Sequence, residues 1–157
     1  MNKQSAGILL YRKTGETPEF FLVHPGGPFF KNKDVGVWSI PKGEFVAGEE
    51  PLAAAKREFQ EETGQAIDGD FIELNPVVLK SGKKVYAWAI EGDMDCKYIE
   101  SNLFEMEWPP KSGKIQSFPE IDRGGWFTAD EAKLKISAGQ VGLIERFLKL
   151  NLRASLN

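Results

Sequence analysis

The stretch from Gly43 to Gly64, Gly-Glu-Phe-Val-Ala-Gly-Glu-Glu-Pro-Leu-Ala-Ala-Ala-Lys-Arg-Glu-Phe-Gln-Glu-Glu-Thr-Gly, constrains this chain more than any other. It opens as a glycine-punctuated loop and continues as a helix. Pro51 suits a first helical position, where a missing N–H costs nothing. Leu52, Ala53, Ala54 and Ala55 are good helix formers, and Gly64 stands where a left-handed C-terminal cap is expected. Leu52, Ala55, Phe59 and Thr63 recur at three- and four-residue spacing, which marks the packing face. Glu58, Glu61 and Glu62 gather on a different arc.

On composition alone those glutamates read as a solvated helix face. Two local features oppose that. Glu61 and Glu62 fall in the last helical turn, where the helix dipole disfavours acids. Three carboxylates at this spacing also repel one another, and only Lys56 and Arg57 are near in sequence to offset them. A bound hard cation is the simplest remedy, and a local rule broken in this way points to a site.

The segment resembles the signature of the Nudix hydrolases, carried here by Gly43, Glu49, Arg57-Glu58, Phe59, Glu61-Glu62 and Gly64. Phe59 replaces the usual aliphatic residue and still fills an apolar slot. Gln65 stands where an aliphatic residue is usual. The resemblance implies an α/β fold with a mixed sheet sandwiched between helices, and metal-assisted hydrolysis of a phosphoanhydride. It implies Glu58, Glu61 and Glu62 as metal ligands, joined by the backbone carbonyl of Lys42, the residue before the motif glycine. Arg57 would hold the carboxylate array, paired with Glu49, while Gly43 and Gly64 shape the segment. Glu120, six residues before Trp126, matches the loop glutamate that serves such enzymes as an extra ligand or general base, with Glu105 and Glu107 as rivals.

At 157 residues the chain is expected to form one domain over residues 1–157. Its formal net charge of −3 gives no electrostatic case for binding nucleic acid or a membrane surface. The one cysteine, Cys96, excludes an internal disulfide and fits a reducing compartment. No apolar run reaches membrane-spanning length and the first residues lack a secretory signal's apolar core, so a cytoplasmic protein is expected. Cys96 and the one histidine, His24, lie outside ligand-type spacing, so an oxygen-ligated Mg²⁺, with Mn²⁺ as the alternative, is the expected cofactor. Monomer and homodimer are both compatible with the sequence.

Strands are expected over residues 5–11, 19–24, 71–79 and 83–90, with Pro76 marking a bulge or edge in the third. Both faces of the fourth are apolar, which makes it interior. Phe29 and Phe30, in a Pro- and Gly-punctuated loop, are either a packing plug or part of a wall for a base. His24 either contacts a phosphate or an attacking water, or is a satisfied residue at a strand end. Residues 102–108 follow a short loop, with Phe104 and Trp108 as stacking candidates against simple packing. The turn 109–114 carries Lys111 and Lys114, which could neutralise a polyphosphate or be merely exposed. Thr128 and Glu131 form a capping box, and residues 140–152 a closing helix with Leu143, Phe147 and Leu150 on one stripe.

Pro41-Lys42-Gly43 resembles the Nudix branch acting on dinucleoside and diphosphoinositol polyphosphates, and the Lys42 side chain could meet a phosphate. A dinucleoside polyphosphate such as diadenosine tetraphosphate is therefore the expected substrate. A nucleoside triphosphate, oxidised or not, is the alternative, and a Nudix-fold module that binds nucleotide without cleaving it is the third reading.

Overall fold

Three strands that are apolar on both faces can be covered only from both sides. The computed structural model, which describes residues 3–156 in backbone and 3–150 in side chains, resolves that demand as helices on either face of one sheet. In β1 (Gln4–Thr14), Ala6, Ile8 and Leu10 face one layer while Leu9 and Tyr11 face the other. In β2 (Thr17–Pro25) Phe21 and Val23 alternate with Phe20 and Leu22 in the same way. The sheet continues with β3 (Lys42–Glu44), β4 (Ile72–Val78) and β5 (Lys84–Glu91), and the chain later returns to it as β8 (Ile121–Thr128). Its order is β4-β5-β1-β2-β8, and β3 pairs with β1. β1 and β5 run parallel and the other pairs antiparallel, so the sheet is mixed.

Helix α1 (Pro51–Thr63) covers the first face with Ala54, Ala55 and Phe59. Helices α2 (Ala129–Lys135) and α3 (Val141–Leu156) cover the second, where Phe147 packs 4.4 Å from Tyr11 and edge-on to Phe20. The helix ends follow local chemistry. Gly64 caps α1 at φ 79°, its N–H donating to the Gln60 carbonyl. Thr128 and Glu131 form the expected capping box on α2. Replacing Thr128 by alanine should cost about 1 kcal/mol, read as a lower urea midpoint with an unchanged slope.

One edge of β1 is shared. Its end, from Tyr11 to Thr14, pairs with β2, whereas Ser5, Ala6 and Gly7 pair with β3. Gly7 permits this, because a Cβ there would sit 2.6 Å from Lys42 Cβ and from the Pro41 carbonyl. The chain enters the split held by Gln140, a buried side chain whose Oε1 accepts from the Ile40 N–H at 3.1 Å. The split is where the glutamate-bearing segment begins.

Several expectations change. Leu150 is exposed and Ile144 takes its place beside Leu143 and Phe147, because α3 meets the sheet along a narrower stripe. Pro76 does sit at a register shift, in the edge strand β4. Residues 103–119 form a hairpin of their own, β6 (Leu103–Glu107) with β7 (Ile115–Pro119), off the main sheet. Residues 151 and 152 of the expected closing helix lie outside the described side chains. Among the described residues, no helix is long and apolar enough to cross a membrane.

Candidate active site

Helix α1 brings its glutamates to the start of β3. The Lys42 N–H, at the head of β3, donates to Glu62 Oε2 at 3.0 Å. Glu62 is buried, and burial above all pushes its carboxyl up to about 8, with Glu58 and Glu120 adding to the rise and the Lys42 N–H opposing it. Glu62 thus lies deeper than a solvated helix face allows, at the rim between α1 and the sheet.

Arg57 organises the other carboxylates. Its Nε and Nη2 donate to the two oxygens of Glu49 at 3.0 and 3.2 Å, a two-pronged pair. Its Nη1 donates to Glu58 Oε1 at 2.9 Å and reaches both oxygens of Glu61 at 3.2 and 3.3 Å. The guanidinium is held above its usual range, foremost by Glu49. Glu58 is raised even so, first by burial and then by Glu61, which outweigh the guanidinium. Gly43 lies directly over Glu58, and a Cβ at that position would overlap the carboxyl group. The glycine is therefore required by close approach and not by its backbone angles.

Glu120 completes the patch from another part of the chain. It is the one residue between β7 and β8, and its carboxyl is raised by burial and by Glu61. The backbone holds Glu120 in place on both sides. The Glu120 N–H donates to the Asn102 carbonyl and its own carbonyl accepts from Gly26, both at 2.8 Å. Asn102 in turn donates its N–H to the Glu61 carbonyl at 2.9 Å, so the backbone ties Glu120 to the end of α1. The rivals Glu105 and Glu107 are exposed on β6, and the loop-borne charge that raises Glu58 and Glu62 comes from Glu120.

Other expected residues fall elsewhere. His24 is completely buried, with Nδ1 2.8 Å from Asp122 Oδ1 and Nε2 2.6 Å from the Lys33 carbonyl, so it meets no phosphate. Lys111 and Lys114 stand in the exposed turn at the far end of the β6–β7 hairpin. Five strand residues separate that turn from Glu120, about 15 Å at the usual rise. Phe104 packs against Phe118 at 6.0 Å, beneath Gly27. Phe29 is exposed and meets Trp108 edge-on at 5.5 Å, so it is no buried plug. Lys42 is half-buried, and burial lowers its ammonium from the usual lysine range. Gly26 and Asn102 escape sequence reasoning, since neither carries chemistry of its own. The one signal at Gly26 is its place in Pro25-Gly26-Gly27.

The donor set suits a hard divalent cation in kind, being oxygen-only, clustered and short of compensating positive charge. Among the described residues, no three His, Cys, Asp or Glu side chains converge as a ready-made cage. Glu58 and Glu61 point to Arg57 instead.

The buried carboxyl sets a pH dependence. Glu62 titrates at about 8 in the folded chain against an ordinary 4.5, so between those values the folded form holds a proton the unfolded form has released. Its contribution to stability is full below pH 4.5 and is lost as pH rises through about 8. In a chelator, urea midpoints should fall between pH 5 and pH 9, by free energies on the order of a few kcal/mol.

Comparison with known proteins identifies the family and the fold. The NUDIX domain model matches residues 1–147, and the chain belongs to that family. It is by class a Nudix pyrophosphohydrolase. Among curated proteins no relative matches the chain. Of solved structures, a Caenorhabditis elegans Ap4A hydrolase binary complex is similar at TM-score 0.62 and 22% identity, over 96% of this chain and 98% of that one. The NUDIX domain of Shewanella oneidensis NrtR, complexed with ADP ribose, gives TM-score 0.62 at 15% identity, over 100% and 90%. A mutT/nudix family protein from Listeria innocua gives 0.60 at 17% identity, over 98% and 96%. At these identities the likeness is one of fold.

Proposed function

We propose that the chain hydrolyses a phosphoanhydride bond of a dinucleoside polyphosphate, using Mg²⁺, or Mn²⁺ in its place, held by Glu58, Glu61, Glu62 and the Lys42 carbonyl. The observation that carries this reading is the gathering of Glu58, Glu61 and Glu62 at one end of α1 with Glu120 drawn against them. Burial and mutual repulsion raise Glu58, Glu62 and Glu120 together. A divalent cation supplies charge neutralisation on the phosphate oxygens and eases deprotonation of water.

The chain's own groups do the rest. Arg57, braced by Glu49, holds Glu58 and Glu61 in register, and these carboxylates would hold the cation. Glu120, on the exposed side of the patch, accepts the proton of the attacking water, its proton affinity raised by burial and by Glu61. Gly43 leaves room for the Glu58 carboxyl. Lys42, flanked by Glu62, Glu44 and Glu58, offers a lysine charge close to the patch.

Pro41-Lys42-Gly43 supports the dinucleoside substrate, and the C. elegans protein of similar fold is an Ap4A hydrolase. A panel of diadenosine polyphosphates, nucleoside triphosphates (common and oxidised) and ADP-ribose tests it, with Mg²⁺ and with Mn²⁺ and products resolved by chromatography. Selective cleavage of diadenosine tetraphosphate to ATP and AMP is expected. Pyrophosphate release from triphosphates would replace this substrate by the triphosphate. Nucleotide binding by calorimetry without any cation-dependent product would overturn the enzymatic reading.

A further inference from the structure

Beside the carboxylate patch, the loop that follows β2 and the β6–β7 hairpin enclose a cavity of about 570 Å³ that the hydrolytic chemistry does not use. We propose that this cavity seats a nucleobase, and that Asp122, oriented by the buried His24, selects bases carrying an exocyclic amino group. The inference rests on a nucleotide substrate and specifies which part of it is read.

The walls have the right shape and chemistry. Trp108 and Phe118 supply aromatic surface, and Pro28 and Pro119 supply apolar rings. Trp108 is braced by Phe29 at an interplanar angle of 77°, and its carbonyl accepts from Gln116 Nε2 at 2.7 Å. A braced indole bordering an open cavity is a stacking platform for a base. The position fits as well. Pro119, in the wall, directly precedes Glu120, and the Gly26 N–H bonded to the Glu120 carbonyl joins the loop to the patch. A base in the cavity therefore leaves its phosphates to run toward the carboxylates, past Lys31 at the rim.

The polar edge carries the selectivity. Asp122 lines the cavity, and its Oδ1 is occupied by His24 Nδ1 at 2.8 Å and by Arg123 at 3.5 Å. Among the described residues no hydrogen bond reaches Oδ2, which is left to accept from a ligand. His24 is wholly buried, and its other nitrogen is fixed by the Lys33 carbonyl, with Trp38 edge-on at 5.1 Å. His24 thus acts as a positioning residue, tying the loop to β8 and setting the carboxylate's angle. A fixed acceptor favours an amino group and opposes a ring carbonyl at the same place, since two acceptors would then face each other.

The test is calorimetric titration of the intact protein with AMP and with IMP in a chelator, so that turnover does not enter. The two probes differ in an amino group against a carbonyl at one ring position. The wild type should bind AMP about tenfold tighter than IMP. Trp108→Ala should weaken both about tenfold, and Trp108→Phe should restore most of that loss. Asp122→Asn, which can present an N–H, should erase or invert the preference. Circular dichroism melting of each variant separates these effects from unfolding. Equal affinity for AMP and IMP, no binding of either, or indifference to Trp108→Ala in a folded protein would overturn the assignment. Cleavage of diadenosine tetraphosphate alongside such a result would leave the hydrolytic reading standing. Selective AMP binding without any cleavage would do the reverse.

Discussion

Replacing Glu62 by glutamine should reduce Mg²⁺-dependent hydrolysis by about a thousandfold or more while the fold survives. The expected loss follows from the several kcal/mol that a well-held cation contributes to the transition state. Survival follows from the geometry. A glutamine carbonyl oxygen can still accept from the Lys42 N–H that now bonds to Glu62 Oε2. The substitution also removes a buried carboxyl whose ionisation is disfavoured, so in a chelator the variant should unfold at higher urea than wild type near pH 9. Its stability should be flatter with pH than that of the wild type. A loss of activity with flattened pH dependence identifies Glu62 as a ligand whose burial is tolerated for function. Wild-type turnover in Glu62→Gln and Glu61→Gln alike would remove the carboxylate assignment. The measurements are initial rates at saturating Mg²⁺ and urea titrations at two pH values.

The second large effect is expected at a residue with no functional group. A methyl at Gly43 would overlap the Glu58 carboxyl, and the carboxyl cannot retreat freely because Arg57 Nη1 holds its Oε1 at 2.9 Å. Gly43→Ala should therefore displace Glu58 by a fraction of an ångström to an ångström. Misplacement of that size costs about a hundredfold in rate. The loss should appear in kcat more than in KM, because under the proposed function Glu58 holds the cation and does not touch the base. Gly48→Ala is the comparison. Gly48 adopts φ 96° but a Cβ there meets nothing, so only backbone strain follows and turnover should change far less. Equal losses in the two variants would mean that loop conformation matters and not contact with Glu58.

Much of this site could be read from the chain because its decisive part is local. Pro51, the alanines and Gly64 specify α1 within a few turns, and a helix fixes the mutual placement of Glu58, Glu61 and Glu62 by spacing alone. Arg57 and Glu49 were accessible through the motif they share. The sheet was readable where both faces are apolar, as in Tyr86, Trp88 and Ile90 alternating with Val85, Ala87 and Ala89.

What stayed hidden depends on pairings between distant residues. Gly26 is linked to Glu120, and His24 to Asp122, across more than 90 residues, and nothing in either local sequence announces the partner. His24 accordingly stayed open between a phosphate or water contact and a satisfied strand-end residue, and both its ring nitrogens are spent within the fold. β7 is short and mostly exposed, so its Ile115 and Phe118 gave no periodic signal for a strand. β3 has three residues and exists because Gly7 lets it come close to β1. Lys111 and Lys114 illustrate the converse. Basic residues near a site in sequence are carried away from it when a hairpin intervenes.

The account turns on whether these carboxylates hold the cation. The most direct measurement is a Mn²⁺ titration followed by electron paramagnetic resonance, in which bound Mn²⁺ loses its free-ion signal. The wild type should bind Mn²⁺ in competition with Mg²⁺, Glu61→Gln should bind it more weakly, and a Glu58→Gln, Glu61→Gln double variant should lose it. Mn²⁺ binding that is unchanged in a folded double variant would contradict the account, whatever the enzyme's substrate.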